Sequence, residues 1–452
     1  MSSAPAPAPG PRQRLLQAAA AHRAGQLDTA RSVYEELLAE DARNFDALHL
    51  LGVIANQQGR HAQAVELIER ALSLKPDDPG ANHNLATTHA MLGHVEAVLA
   101  AEERAVAARP AFAEAHYNRA RALALLNRPA EAAAAYGAAI DAQPTYPEAH
   151  WNRALALLAA GDYERGWPLY EWRWRNPSTA HHRRELAQPL WLGVEDIEGR
   201  TLLVHDEQGL GDTIQFCRYL PLLAGRGARV IAEVAAPLVR LLSSLDGVHE
   251  VVARGTPLPA FDLQCPLLSL PLAFGTTLET IPSTFPYLRA DPERVAHWRR
   301  RLGPRHAPRL GLVWRGASRR ELELARLLPW LPSGIEYVCL QKDVSPQERV
   351  AAPHLVFVGD ELTDFAETAA LAEAVDAVVS VDTGVAHLAG ALGRPTWLLL
   401  PFSADWRWLT GRTDSPWYPS FELLRQSSRD DWHGALSQLR AKLEAWARSA
   451  IS

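Results

Sequence analysis

Cysteine and methionine are scarce in this chain of 452 residues, which has three of the first and two of the second. Cys217, Cys265 and Cys339 are odd in number and far apart. That excludes a disulfide framework and the paired spacing of a zinc site, and it fits reduced thiols in a cytosol. Long apolar runs are missing as well. No stretch approaches the ~20 residues that a membrane-spanning helix needs. An excess of basic charge is also lacking, with 46 Lys and Arg against 52 Asp and Glu and a net charge of -6, which speaks against a nucleic-acid surface. Residues 1–10 are a Pro/Ala tract without the apolar segment of a signal peptide, and read as a disordered leader. The expectation is a soluble, cytoplasmic protein of two to four domains.

What is present is a period. Ala18, Gly52, Ala86, Ala120 and Ala154 stand 34 residues apart, as do Ala30, Ala64, Val98 and Ala132, and Pro76, Pro110 and Pro144. Two small residues twelve apart and a closing proline form the tetratricopeptide pattern of paired helices. Five repeats begin near Pro11, Phe45, Pro79, Ala113 and Pro147. The small residues belong where helix A meets helix B, since only a short side chain lets backbones approach there. Tyr34, Ile68, Tyr136 and Tyr170 are the larger plugs of helix B. Each proline ends its helix B, because it lacks an N–H and disfavours a helical residue before it. Stacked pairs predict an α-solenoid over residues 11–175 with a concave face built from A helices.

Asn84, Asn118 and Asn152 also stand 34 apart, two residues before the small position of helix A. Leu16 and Leu50 fill the place in the first two repeats. An asparagine ladder offers donors and acceptors that can hold the backbone of an extended peptide. The alternative is that these side chains bond neighbouring repeats; the two readings are evenly matched, because asparagine is otherwise a poor residue inside a helix. The fifth repeat degenerates into Trp167, Tyr170, Trp172 and Trp174. Together with Pro189, Leu190 and Trp191 these read as packing between the solenoid and the second half, with residues 176–199 as a docking linker.

From Arg200 the pattern becomes strand, loop, helix. Strands are expected at Thr201–His205, Arg229–Val234 and Val248–Val252, then, after a break at Pro282–Pro286, at Leu310–Trp314, Tyr337–Gln341, Leu355–Val358, Ala377–Val381 and Thr396–Leu400. Helices are expected at Asp212–Leu223, Asp364–Ala374 and Val385–Leu392. Two alternating series predict two Rossmann-like domains facing a cleft, residues 200–290 and 291–452, with ligands at the carboxyl ends of the strands. Two loops occupy such ends. In His205-Asp206-Glu207-Gln208-Gly209-Leu210-Gly211-Asp212, Gly209 and Gly211 permit close backbone approach. Asp212 is either a plain helix cap or a base for an attacking hydroxyl, and His205 is a second candidate base. In Ser380-Val381-Asp382-Thr383-Gly384-Val385-Ala386-His387, a helix start with exposed N–H groups suits a diphosphate. Thr383 and His387 are potential donors to it; an ordinary capped junction with a packed histidine is the alternative.

These loops, with Gly311-Leu312-Val313-Trp314 and Pro401-Phe402 through Trp406-Arg407-Trp408, resemble those of bacterial tetratricopeptide-repeat glycosyltransferases. The second half is similar to the heptosyltransferases of glycosyltransferase family 9. The layout also resembles that of the O-linked N-acetylglucosamine transferases, an asparagine-lined solenoid before a GT-B fold. The resemblance implies an inverting, metal-independent transfer from a nucleoside-diphosphate sugar, which is a substrate and not a cofactor. It assigns Asp212 as base and Asp382, Thr383, Gly384 and His387 to the donor diphosphate, with Gln341 and Lys342 near the nucleotide. No acidic metal motif stands out; Asp430-Asp431 reads as the start of the last helix. The acceptor would be a protein on the solenoid, flagellin or another surface protein by analogy. The alternatives are a lipopolysaccharide or glycan acceptor, or a scaffold with an inert nucleotide half. The last is kept open by the short loop Arg315-Gly316-Ala317-Ser318-Arg319-Arg320, in which Arg315 or Arg319 would supply charge to a phosphate.

Overall fold

The computed structural model describes residues 9–316 and 322–451. Arg319 and Arg320 lie outside the described residues. The chain divides into two compact units, Met1–Ala156 and Leu157–Ser452.

The first unit is helical: α1 (Pro11–Arg23), α2 (Leu27–Glu40), α3 (Phe45–Gln57), α4 (His61–Leu74), α5 (Pro79–Met91), α6 (Val95–Ala108), α7 (Ala113–Leu125), α8 (Pro129–Ala142) and the first turns of α9 (Pro147–Ala159). Proline opens α1, α5, α8 and α9, where its missing N–H costs nothing. Asn44 and Asp78 cap α3 and α5 by accepting from the N–H groups of Ala47 and Ala81. The 34-residue set of small residues is buried where it was expected. A Cβ on Gly52 would stand 2.6 Å from Ile68 Cγ1, so close packing demands glycine at this member of the period.

A further 34-residue series emerges from the structure. Asn82 Nδ2, His116 Nε2 and His150 Nε2 donate to the carbonyls of Pro76, Pro110 and Pro144 at 2.8, 2.8 and 3.0 Å. Each closes the loop between one repeat and the next. The residue type changes within that series, which hid it in the sequence. The plug series Tyr34, Ile68, Tyr136 is interrupted by Glu102, whose side chain is fully buried. Glu102 is held by His83 Nδ1 at 3.0 Å and Asn118 Nδ2 at 3.1 Å. Burial pushes its carboxyl above the ordinary glutamate range, and the bonds to His83 and Asn118 only partly oppose this.

The second unit opens with the end of α9 and with α10 (Tyr163–Tyr170), then carries two parallel sheets with helices between strands. The first sheet has β1 (Thr201–His205), β2 (Arg229–Val234), β3 (Val248–Ala253) and β4 (Leu263–Pro266) in the order β3-β2-β1-β4. The second has β5 (Arg309–Val313), β6 (Glu336–Cys339), β7 (Val356–Phe357), β8 (Ala377–Val381), β9 (Thr396–Leu400) and β10 (Phe421–Arg425) in the order β10-β9-β8-β5-β6-β7. Strands β4 and β10 are additions to the sequence reading. β4 is four residues long and includes Gln264 and Pro266, so it lacks the apolar run that marks its neighbours.

The helix expected over Asp212–Leu223 is broken. It forms as α11 (Leu210–Phe216), a tight turn at Cys217–Tyr219 and a second helix at Leu220–Gly225. Pro221 explains the break, since it has no N–H to donate back across the turn. The aromatic residues of α10 pack within this unit: Trp167 Nε1 donates to Thr276 O at 3.0 Å, and Trp417 Nε1 to Tyr163 Oη at 2.9 Å. Residues 189–191 pair with the outer edge of β4. Trp191 N donates to Gln264 O at 2.8 Å and Gln264 N to Pro189 O at 3.0 Å, and the Trp191 side chain is buried.

Candidate active site

Strand order fixes where a ligand can enter. In the first sheet the chain turns outward in opposite directions from β1 and β4, and in the second from β5 and β8. Crevices open at such switch points, beyond the carboxyl ends of the strands. His205 ends β1 and Pro266 ends β4; Val313 ends β5 and Val381 ends β8. Both loops singled out in the sequence therefore start at a switch point.

At the β1/β4 crevice the three residues after Val204 are polar and buried. His205 Nε2 stands 3.1 Å from Gln264 Oε1, so Nε2 carries the proton and Nδ1 the lone pair. Nδ1 is buried with no hydrogen-bond partner. Burial lowers the imidazole pKa to about 4, against weaker opposition from Gln264 and the Asp206 backbone, and the ring is neutral at pH 7. Asp206 accepts from Ala235 N at 2.8 Å and Arg254 Nε at 2.9 Å. Glu207 receives Arg173 through two parallel bonds of 2.8 and 3.0 Å and Leu268 N at 3.1 Å. That fully buried Arg173–Glu207 pair fastens the segment after α10 to the loop after β1.

Asp212 sits on the first turn of α11. Its Oδ2 accepts from Gly209 N at 2.8 Å, completing a capping arrangement. Its Oδ1 pairs with Arg407 Nη2. Arg407 is buried in the turn Trp406–Trp408 and also reaches Gln215 Oε1 and Asp405 Oδ1. Burial opposes its charge, but Asp405 and Asp212 hold the guanidinium firmly protonated. Sequence reasoning left Arg407 without a role; the available signal was a cation set between two tryptophans.

The β5/β8 crevice meets the first loop directly. Thr383 Oγ1 caps the helix Gly384–Ala391 by accepting from Ala386 N at 3.2 Å. A Cβ on Gly211 would lie 2.8 Å from His387 Cδ2 and 3.2 Å from Gly384 Cα. Glycine at 211 is thus what lets the two loops touch. His387 is buried, with Nδ1 2.8 Å from Tyr418 Oη, Nε2 3.7 Å from Asp382 Oδ1, and its ring stacked on Trp408. Of the residues expected to serve the diphosphate, Asp382, Thr383, Gly384 and His387 share one turn, and the packing of His387 matches the structural alternative stated for it.

Gln341 and Lys342 part company. Gln341 is buried and its amide joins two loops, accepting from Arg315 N at 3.0 Å and donating to Asp343 O at 2.9 Å. Lys342 is exposed. Arg315 pairs with Glu348. In the repeat unit, Asn84 Nδ2 meets His49 Nε2 at 2.8 Å, Asn118 donates to Glu102, and Asn152 donates to Tyr117 Oη at 2.9 Å. Each asparagine is half-buried and sends its amide N–H back to the preceding repeat, the use named as the alternative to peptide binding.

Comparison with known proteins finds matches to the repeats and to part of the α/β unit. The tetratricopeptide repeat model matches residues 15–79, 85–147 and 126–171, and the model of glycosyltransferase family 9 (heptosyltransferase) matches residues 361–399. The chain carries tetratricopeptide repeats and, in its second half, a short stretch similar to glycosyltransferase family 9. That segment runs from Glu361 through β8, the Asp382–His387 loop and its helix to β9. A curated relative, Protein FlbA of Caulobacter vibrioides, is 27% identical over 434 residues, covering 88% of this chain and 67% of that protein. Among solved structures, MamA is 22% identical at a TM-score of 0.33, covering 34% of this chain and 91% of MamA. YrrB, described as a tetratricopeptide-repeat protein with an unusual peptide-binding site, is 18% identical at a TM-score of 0.33, covering 36% of this chain and 84% of YrrB.

Proposed function

We propose that this protein is a glycosyltransferase of GT-B layout that moves a sugar from a nucleoside-diphosphate donor to an acceptor engaged by the repeats, most directly a protein. The observation that carries the reading is the loop after β8. It opens a helix at a switch point, lies inside the family 9 match, and is touched by the glycine loop of the first sheet. The first-turn N–H groups of Gly384–Ala391 and the helix dipole would receive the leaving diphosphate. Asp212, next to Gly211 in the chain, would take the proton of the attacking hydroxyl from the opposite side. An in-line attack of that kind inverts the sugar carbon and needs no metal on the leaving group. Arg407 would position Asp212, and the carboxylate must exchange part of that ion pair for the acceptor hydroxyl.

One observation favours the rival reading of a scaffold with an inert second half. Asp212 and Gln341 both spend their polar atoms on other protein groups. Thermal shifts with UDP, ADP, GDP, dTDP and CMP and their sugar conjugates separate the two. A ligand at a hundredfold its Kd stabilises by about 2.7 kcal/mol. One selective stabiliser, followed by sugar transfer, supports the transferase; silence from every nucleotide supports the scaffold.

A further inference from the structure

Beside the β1/β4 crevice lies a cavity of about 620 Å³ walled by the segment 171–190 on one side and by His205, Gln264 and Pro266 on the other. Its size suits a small ligand. It shares no residue with the Asp382–His387 loop. Three arginines face it, Arg175, Arg183 and Arg184. Arg184 is committed to Glu233, and Arg175 rests on the Trp172 ring at 4.7 Å. Among the described residues no carboxylate pairs with Arg175 or Arg183. Of the two glutamates in the wall, Glu171 is already bonded to Arg173 and Trp174, which leaves Glu185 against two cations.

The second observation is independent of those arginines. His205 lines the same cavity, is almost wholly buried, and leaves Nδ1 without a partner. A buried polar atom left unpaired costs free energy and calls for an explanation. Since Nε2–H is directed at Gln264, Nδ1 can only accept, and its natural complement is a hydroxyl. Guanidinium groups complement carboxylate and phosphate oxygens. We propose that this cavity binds a hydroxylated organic anion, a sugar acid or sugar phosphate, with its anionic group on Arg175 and Arg183 and a hydroxyl donating to His205 Nδ1. The site goes beyond the transferase reading and does not depend on it.

Calorimetric titration of the full chain with glucuronate, glucose 6-phosphate, inorganic phosphate and glucose tests it. The expected result is saturable binding of glucuronate or glucose 6-phosphate at least tenfold tighter than glucose or inorganic phosphate. The first two ligands distinguish a carboxylate from a phosphate. The double variant Arg175→Ala, Arg183→Ala, altered only at exposed positions, should weaken that binding at least tenfold. In protein with ¹⁵N-labelled histidine, the His205 Nδ1 resonance should shift on saturation, a readout that needs no substitution in the core. Failure of both anions to bind, equal binding of inorganic phosphate, unchanged affinity in the double variant or an unmoved Nδ1 resonance would each overturn the proposal. Nucleotide stabilisation without sugar-anion binding would sink this site alone, and the reverse would sink only the transferase.

Discussion

Glu102 in the repeat unit and His205 in the α/β unit are buried to opposite ends. In the repeat unit Glu102 replaces a large plug and is tied to side chains of neighbouring helices, which serves the stacking of repeats. In the α/β unit His205 is buried at the end of a strand with one nitrogen unpaired, facing a cavity. A polar group satisfied by its neighbours is architecture; one left unsatisfied beside open space is available to a ligand. Variants at these places, in falling order of effect, would break or sharpen that distinction.

The largest effect belongs to Asp212. Asp212→Asn should lower transfer by about 10²–10⁴-fold while nucleotide affinity, read by thermal shift, changes little. Retained transfer would return Asp212 to its capping role, and the α/β unit would then resemble the repeat unit in using its carboxylates for structure. Glu102→Ala should come next, with about 1–3 kcal/mol lost from the unfolding of the repeat unit because His83 and Asn118 lose their acceptor. Calorimetry resolves it, and an unchanged transition would mean that the glutamate is dispensable.

Dependence on pH offers the cleanest contrast. A carboxyl whose pKa is raised in the fold favours the folded state when protonated, so Glu102's contribution is full below the unfolded glutamate pKa and fades as pH rises through the folded value. The His205 pKa is depressed to about 4, so its contribution is full above the unfolded histidine value and fades as pH falls towards 4. On acidification from neutrality, the Glu102 contribution should grow and the His205 contribution shrink. Denaturant titrations from pH 7 to pH 4.5 on the parent, Glu102→Gln and His205→Gln should show each variant flattening the slope its residue supplies; parallel curves for all three would refute the assignment. The smallest effect is expected from Asn84, Asn118 and Asn152. Each change to Ala should cost about 1 kcal/mol through the lost contact to the preceding repeat. Should the triple variant also raise the acceptor KM while sparing hydrolysis of the donor, the ladder binds peptide as well.

The same contrast governs how much could be read from the chain. The solenoid was legible because contact forces small residues to recur, as at Gly52 against Ile68. The loop-closing series Asn82, His116, His150 escaped notice because two residue types do one job, and Glu102 because it breaks the apolar series it belongs to. In the α/β unit the five-residue β1, β8 and β9 are nearly continuous apolar runs and were placed to the residue. β4, four residues with a glutamine and a proline, carried no such signal. Both candidate loops were singled out by their position after a strand. Their internal partners were not, since Arg407 and Tyr418 lie far along the chain from Asp212 and His387, and only the folded sheets bring them together.

The pairing of residues 189–191 with β4 bears on how the protein can be dissected. An isolated α/β fragment starting at Arg200, where the first strand series begins, would strip the outer edge of β4 and leave its backbone groups open to pairing between molecules. It would also remove Trp191 from its buried seat and take away Arg173, leaving Glu207 as a buried, uncompensated carboxylate. Such a fragment should precipitate or fail to fold. One that starts at Leu157, where the second unit begins, keeps α10, the Arg173–Glu207 pair and the β4 edge covering, and is expected to be obtained intact.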